Sequence, residues 1–396
     1  MVYPMVILKQ MVLAIYKVLT KLLPVNHKVI LFESNLGRNY TGNPKAIYEE
    51  MVNQGLDKKY RCYIILEDIN TTIPGSAKKI KRNRFRYFYY FSIAGIWVSD
   101  SRFPMYIIKR PQCTYIQTWH GTPLKKLALD LDDVYMAGET DIKSYKRNFY
   151  NNAQTWDYLI SQNDYSSKIF RQAFSFKKEI LEIGYPRNDV LFHDNNEDKI
   201  RRIKEMLGID LDKKVILYAP TWRDNEFYGN GKYKFNPGLD FSLLMEQLKD
   251  DTVVIVKYHY LVMDQIDWTP YKGFIYSYDM TYDISLLYLI SDMLITDYSS
   301  VMFDYSILKR PILFYCYDLN EYKDTLRGFY FDFIEEAPGP IIKSTQNLID
   351  AIKEYDHSVY KEKYDAFISK YNHADDGKAS KKIVELITKS IADKIN

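Results

Sequence analysis

Ser291–Tyr315 reads Ser-Asp-Met-Leu-Ile-Thr-Asp-Tyr-Ser-Ser-Val-Met-Phe-Asp-Tyr-Ser-Ile-Leu-Lys-Arg-Pro-Ile-Leu-Phe-Tyr. Its apolar run Met293–Ile295 has the length and flanks of a buried parallel strand, Thr296–Ser300 has cap chemistry, and Val301–Leu308 returns to helical spacing. The stretch therefore predicts strand, tight turn and helix, with Pro311 stopping the helix before Ile312–Tyr315 opens the next strand. A helix entered through Ser299 and Ser300 leaves free backbone N–H groups and a positive dipole end beside two hydroxyls, which makes an anion cradle. An ordinary capped helix uses the same residues, so on this stretch alone both readings stand. Asp297 and Asp304 favour the cradle, because acids beside an anion site are costly unless they hold hydroxyls, a metal or a basic partner.

The same strand-turn-helix unit recurs on both sides. Strands are predicted at Val29–Glu33, Arg61–Leu66, Ile93–Val98, Thr114–Thr118, Tyr158–Ser161 and Ile180–Ile183, with helices at Asn43–Asn53 and Ser166–Phe174. The charged segment Asn195–Lys204 breaks this pattern, and Val215–Tyr218 and Thr252–Lys257 begin a second series that closes with helices at Ile349–Lys361 and Asp365–Tyr371. Alternating elements of this kind imply an α/β fold with parallel, doubly wound sheets. The expected units are an N-terminal helix over 1–24, a first domain over 25–200 and a second over 201–396, with the boundary near Phe192–Lys213. The turn after the first strand holds Gly37, Arg38 and Gly42 but is no G-x-G-x-x-G, so it marks no dinucleotide site.

A length of 396 residues and 47% apolar content exclude a disordered chain. A net charge of +3 is too mild for a dedicated nucleic-acid binder. The three cysteines, Cys62, Cys113 and Cys316, form no C-x-x-C pair, so neither a zinc site nor a disulfide framework is indicated. Met5–Leu23 is apolar but interrupted by Lys9, Lys17 and Lys21, which is too broken for a spanning helix. An interfacial amphipathic helix and a core-packing helix with snorkelling lysines both fit it. The basic run Lys78–Arg86 reads as a solvated helix face, with attraction to lipid phosphate as the alternative.

Chemistry-bearing residues gather at strand ends. Thr114–Thr118 runs into Trp119-His120-Gly121-Thr122-Pro123-Leu124-Lys125-Lys126, read as the start of a helix with Thr122 as cap and Pro123 at the first position. That places His120 at the carboxyl end of a parallel strand, where open α/β sheets bind ligands. A structural hydrogen bonder is the alternative for a lone histidine. Lys125 and Lys126 in a first turn oppose the helix dipole and call for an anion. The acids at Asp130, Asp132 and Asp133 read as a solvated turn rather than a divalent-ion site. Arg223, just past the strand Val215–Tyr218, is placed to fork onto a phosphate, and Lys257-Tyr258-His259 puts a second histidine at a strand end.

Five stretches occur in a set order: His120-Gly121-Thr122-Pro123-Leu124-Lys125, Ala219-Pro220-Thr221-Trp222-Arg223, Lys257-Tyr258-His259, Thr296-Asp297-Tyr298-Ser299-Ser300 with Phe303-Asp304, and Arg327-Gly328. They resemble the motifs of the CDP-glycerol:poly(glycerophosphate) glycerophosphotransferases of wall teichoic acid synthesis, across roughly Val29 to Ser380. Tyr260 departs from the pattern, since the family usually has proline after this histidine, and that bears on the local loop shape. The resemblance implies a GT-B architecture, two Rossmann-like domains facing across a cleft. The second would hold a CDP-alditol, either CDP-glycerol or CDP-ribitol. The first would receive an undecaprenyl-linked acceptor at the cytoplasmic face of the membrane.

The activity implied is a CDP-alditol alditolphosphotransferase in which an acceptor hydroxyl attacks the β-phosphorus and CMP leaves. His120 would be the general base. His259 would hold the pyrophosphate with Arg223, Ser299 and Ser300, while Asp304 or Asp297 would grip the alditol hydroxyls and Arg327 would help bind phosphate. Gly121, Thr122, Lys125, Lys257 and Thr296 belong to the same substrate-binding motifs. No cofactor is required on this reading, with magnesium left open; so is a homo-oligomer. Two other classes compete: a nucleotide-sugar glycosyltransferase of the same architecture, and a membrane-bound adaptor for anionic polymer.

Overall fold

The computed structural model describes residues 2–133, 141–221, 238–257, 266–278, 282–319 and 328–395. Among the described residues, thirteen strands form two sheets in which every paired strand runs parallel. The first contains β1 (Asn26–Glu33), β2 (Arg61–Leu66), β3 (Lys78–Lys81), β4 (Ala94–Ser99), β5 (Thr114–Gln117), β6 (Tyr158–Ser161) and β7 (Glu179–Glu182), in the order β3-β2-β1-β4-β5-β6-β7. The second contains β8 (Lys214–Ala219), β9 (Thr252–Val256), β10 (Ile275–Ser277), β11 (Met293–Thr296), β12 (Ile312–Tyr315) and β13 (Ile341–Ile342), in the order β10-β9-β8-β11-β12-β13.

Central strands such as β4 and β9 are buried along their whole length, as the apolar runs require when helices cover both faces. Each order reverses once, between β1 and β4 and between β8 and β11. The crevice at such a switch point, beyond the carboxyl ends of the strands, is where open sheets place ligands.

Four expectations change. Lys78–Lys81 is an edge strand, not part of a helix: only Ile80 is buried, and the exposed lysines protect the edge from further pairing. The helix expected after Thr122 and Pro123 does not form. Lys125 instead makes an antiparallel bridge with Phe329, the Lys126 amide donates to the Gly328 carbonyl at 2.9 Å, and Tyr330 donates to Leu124 at 3.1 Å. Strand-like bonds to a segment of the second half therefore win over local helical preference. The two late helices run Thr345–Lys353 and His357–Tyr371, because Asp356 caps the second by accepting from the Ser358 amide at 2.8 Å.

Finally, helix Ala379–Ile395 leaves the second half and packs on the first sheet. Its Ile383, Val384, Ile387 and Ile391 are buried against Ile30, Phe32 and Ile47. Asp189 anchors its first turn, accepting from the amides of Ala379 at 3.0 Å and Ser380 at 2.7 Å.

The N-terminal helix Val2–Leu22 carries two apolar faces. Tyr16, with Val12 and Leu13 beside it, packs into the core of the first sheet, and its hydroxyl accepts from the Ile108 amide at 3.0 Å. Ile7, Leu8, Met11, Ile15, Val18 and Leu22 point away from the protein, between 52% and 75% exposed. Among the described residues no helix is long and apolar enough to cross a membrane.

Glu33, the last residue of β1, is completely buried, with neither carboxylate oxygen hydrogen-bonded and Arg82 Nε 3.8 Å away. Burial pushes this carboxyl up from 4.5 to about 8, against the pull of Arg82. Between those values the folded chain binds a proton that the unfolded chain has lost, so this contribution to stability is full below pH 4.5 and falls as pH rises towards 8. Glu33→Gln should therefore raise Tm at pH 8.5 and flatten the decline from pH 6, as read by scanning calorimetry; parallel wild-type and variant curves would clear Glu33 of the effect.

Candidate active site

β5 ends at Gln117, and the following turn carries His120 upward into the gap between the sheets. Trp119 adopts a left-handed backbone with φ of 53°, which a bulky residue tolerates only when its surroundings enforce it. Here they do. Gln117 Oε1 accepts from the Trp119 amide at 2.9 Å, and Asn43 Nδ2 donates to the carbonyls of Thr118 at 3.3 Å and Trp119 at 2.9 Å.

The His120 ring stacks on Trp119, with centroids 4.4 Å apart and planes inclined by 26°. Its Nδ1 lies 3.0 Å from the Asp100 carbonyl. A carbonyl only accepts, so Nδ1 carries the proton and the neutral ring keeps its lone pair on Nε2. The ring is exposed to the cleft yet surrounded by protein on the other sides. Desolvation of the cation lowers its pKa; Asp100 opposes this, and Arg187 and Arg102 add to it. An imidazole neutral at physiological pH with Nε2 open is suited to accept a proton.

Asp100 immediately follows β4 and is itself buried. Its Oδ1 accepts from the Asn35 amide at 2.8 Å and the Ser101 hydroxyl at 2.7 Å, bonds that steady the carbonyl holding His120.

The facing wall comes from the second sheet. Thr221 follows β8, and Ser299 and Ser300 follow β11, so both flank that sheet's switch point. Together with His120, Gly121 and Lys125 they line a cavity of about 250 Å³. Ser300 begins helix Val301–Tyr305 without using its side chain as a cap, and both serines are half-buried at the cavity. The helix has only five residues before a 3₁₀ turn at Ser306–Leu308, so the dipole is weaker than the sequence suggested and the hydroxyls matter more.

The two walls nearly touch at Gly121, where a Cβ would lie 3.1 Å from Ser300 Oγ. Gly121→Ala should consequently push the histidine turn away from Ser300 and lower turnover about tenfold or more with little change in Tm, since a small misplacement of reacting groups is costly. Wild-type turnover of that variant would show that the approach is incidental.

Of the residues predicted from sequence, His120, Gly121, Lys125, Ser299 and Ser300 meet at this cavity. Thr122 borders it, but its hydroxyl is turned inward and donates to Gln162 Oε1. Thr296 is fully buried and donates to the Ala219 carbonyl at 2.8 Å, a tie between β11 and β8. Lys257 donates to the Tyr282 carbonyl at 3.2 Å.

Asp297 and Asp304, expected to grip substrate hydroxyls, are both buried with protein partners on their carboxylates. Asp297 accepts from the Thr221 amide at 2.7 Å, while Asp304 accepts from Arg187 at 2.5 Å and Asn188 at 2.9 Å. Arg223, His259 and Arg327 lie outside the described residues, as does Tyr260. No group of three or more His, Cys, Asp or Glu among the described residues is arranged to hold a metal ion.

Sequence reading passed over the polar residues that carry the histidine turn, namely Asn43, Asp100, Arg187, Asn188, Gln162 and Asp375. Asp375 is half-buried and accepts from Gln162 Nε2 at 2.8 Å and the Tyr185 amide at 3.2 Å, and loss of solvent around its carboxylate pushes it up to about 7. The available signal was position. Asp100 directly follows β4, Asn43 lies in the helix after β1, and Arg187 and Asn188 follow β7, all on the ligand-binding edge of the sheet.

Known proteins share this sequence and arrangement. The teichoic acid poly(glycerol phosphate) polymerase of Bacillus spizizenii is 48% identical, covering 92% of this chain and 93% of its own length. The teichoic acid glycerol-phosphate transferase of Staphylococcus aureus is 44% identical over 94% of this chain and 96% of its own. Two further poly(glycerol phosphate) polymerases are longer, and the chain spans about half of each (50% and 51%). Ribitol-phosphate polymerases and a ribitol-phosphate primase match at 29% to 31% identity.

The solved wall teichoic acid polymerase TagF superposes with a TM-score of 0.89 at 47% identity, over 94% of this chain and 91% of that one. With the family model matched over residues 15–389, the chain belongs to the CDP-glycerol:poly(glycerophosphate) glycerophosphotransferase family.

Proposed function

We propose that the chain transfers glycerol phosphate from CDP-glycerol to the terminal hydroxyl of an undecaprenyl-linked teichoic acid precursor, releasing CMP. Family membership makes it a CDP-alditol phosphotransferase. The observation that carries the mechanism is that His120, its Nδ1 committed to the Asp100 carbonyl, lines the same cavity of about 250 Å³ as Ser299 and Ser300. In the reaction the acceptor oxygen bonds to the β-phosphorus, the bond from that phosphorus to the bridging oxygen breaks, and CMP carries that oxygen away. The acceptor's proton passes to His120 Nε2.

In-line phosphoryl transfer asks chiefly for positioning and charge stabilisation. Ser299 and Ser300 supply hydroxyl donors on the donor side, and His259, Arg223 and Arg327 carry the remaining phosphate contacts on the strength of the family motifs. Glycerol is favoured over ribitol by the higher identity to glycerol-phosphate enzymes.

Two parallel sheets that each bring residues from beyond their strand ends to one cavity support a GT-B arrangement, with the first unit receiving the acceptor and the second the CDP-glycerol. The outward apolar face of helix Val2–Leu22, flanked by Lys9, Lys17 and Lys21, supports peripheral attachment at the cytoplasmic face of the membrane, where a lipid-linked acceptor resides. The enzyme incubated with a lipid-linked acceptor and CDP-glycerol labelled in the glycerol should release CMP and yield products heavier by whole glycerol phosphate units. Release of a nucleoside diphosphate, or extension with CDP-ribitol alone, would overturn the reading.

A further inference from the structure

One guanidinium joins the two walls of the cavity. Arg187, in the turn Pro186–Asn188, donates from Nη1 to the His120 carbonyl at 2.7 Å and from Nη2 to Asp304 Oδ2 at 2.5 Å. His120 belongs to the wall from the first sheet. Asp304 lies on helix Val301–Tyr305, directly behind Ser299 and Ser300 in the wall from the second. Asn188 Nδ2 holds the other Asp304 oxygen at 2.9 Å. The Arg187 amide donates to Asn43 Oδ1 at 3.0 Å, and Asn43 in turn binds the Thr118 and Trp119 carbonyls. The successive carbonyls of residues 118, 119 and 120 are thus all held by Asn43 and Arg187, at the point where Trp119 takes its left-handed conformation.

A buried ion pair is an inefficient source of stability, because desolvation offsets the attraction and apolar replacements of similar volume often serve as well. What a rigid guanidinium fork supplies is fixed geometry between the groups it binds. We infer that the Arg187–Asp304 pair is a positioning element for the transfer reaction, setting the His120 ring at its working distance from the serine wall. The inference rests on the transfer reaction proposed above. Arg187 is assigned no contact with substrate; it acts through His120.

Arg187→Lys keeps a charge beside Asp304 but replaces the fork with a single ammonium that does not span both partners. Its kcat should fall about a hundredfold, the scale expected when reacting groups are misplaced by about an ångström, while calorimetric binding of CDP-glycerol stays unchanged. Arg187→Met combined with Asp304→Leu removes both charges at similar volume. It should retain Tm and still lose kcat, which a purely structural pair would not do.

Arg187→Gln adds a pH readout. Among the described residues the charged groups acting on His120 are Asp100, Arg187 and Arg102, so removing this cation should move the acid limb of kcat/KM to higher pH. Wild-type kcat in Arg187→Lys, or a loss of kcat matched by an equal loss of CDP-glycerol affinity, would overturn the inference. Failure of the wild-type enzyme to release CMP from CDP-glycerol would instead overturn the transfer reaction, and the inference with it.

Discussion

His120→Ala should lower kcat for glycerol phosphate transfer by about 10²–10⁴-fold, the range that a positioned proton acceptor supplies. Binding of CDP-glycerol should survive, because Ser299, Ser300 and Thr221, on the side proposed to hold the donor, come from the other sheet. The expectation follows from the fixed tautomer: Nδ1–H is committed to the Asp100 carbonyl, which leaves Nε2 as the atom that can take the acceptor's proton. Because desolvation lowers the pKa of this imidazole, the acid limb of kcat/KM in the wild type should fall below the ordinary imidazole value of about 6.5, and the variant should lack that limb. Steady-state CMP release across pH 5–8 reads both effects. An unchanged limb in the variant would assign the proton acceptor elsewhere.

The second large effect concerns the membrane. Replacing Met11, Ile15 and Val18 together by glutamate should abolish sedimentation of the protein with vesicles containing anionic lipid, with Tm nearly unchanged. All three side chains are more than half exposed, on the face opposite Tyr16, so the packing of the helix on the first sheet is left intact. Each substitution removes an apolar group from the proposed lipid contact and adds a charge that anionic headgroups repel. Undiminished sedimentation would place the membrane contact on another surface.

The core-packing alternative read from the N-terminal sequence applies to one side of the helix, and the exposed apolar side is the one for which the interfacial contact is proposed. Tyr16, Val12 and Leu13 pack inward while Met11, Ile15 and Val18 face out. A helical wheel shows an apolar arc too wide for one contact, but it does not show where the protein ends and solvent begins.

The central strands were legible because buried parallel strands leave continuous apolar runs. β2, β6 and β12 have the predicted bounds, Arg61–Leu66, Tyr158–Ser161 and Ile312–Tyr315. The segment after His120 was misread for an opposite reason. Thr122 and Pro123 carry helix-start chemistry, yet the backbone there bonds to Gly328, Phe329 and Tyr330, about two hundred residues away. Local propensity carries no record of such a partner.

The supporting network was hidden in the same way. Asn43, Asp100, Arg187 and Asp375 are unremarkable one by one and gain meaning only when three strand ends and the segment before the last helix converge on the histidine turn. Around the two aspartates singled out beside the serines, the partners include a backbone amide, an arginine and an asparagine of this chain.

The most direct test is a crystal structure of the His120→Ala enzyme with CDP-glycerol bound. The pyrophosphate is predicted to lie in the cavity between the sheets, within hydrogen-bond reach of the Ser299 and Ser300 hydroxyls, with the glycerol phosphate directed towards the space vacated by the imidazole. A pyrophosphate bound away from these serines, or a β-phosphorus separated from residue 120 by the body of either sheet, would contradict the account.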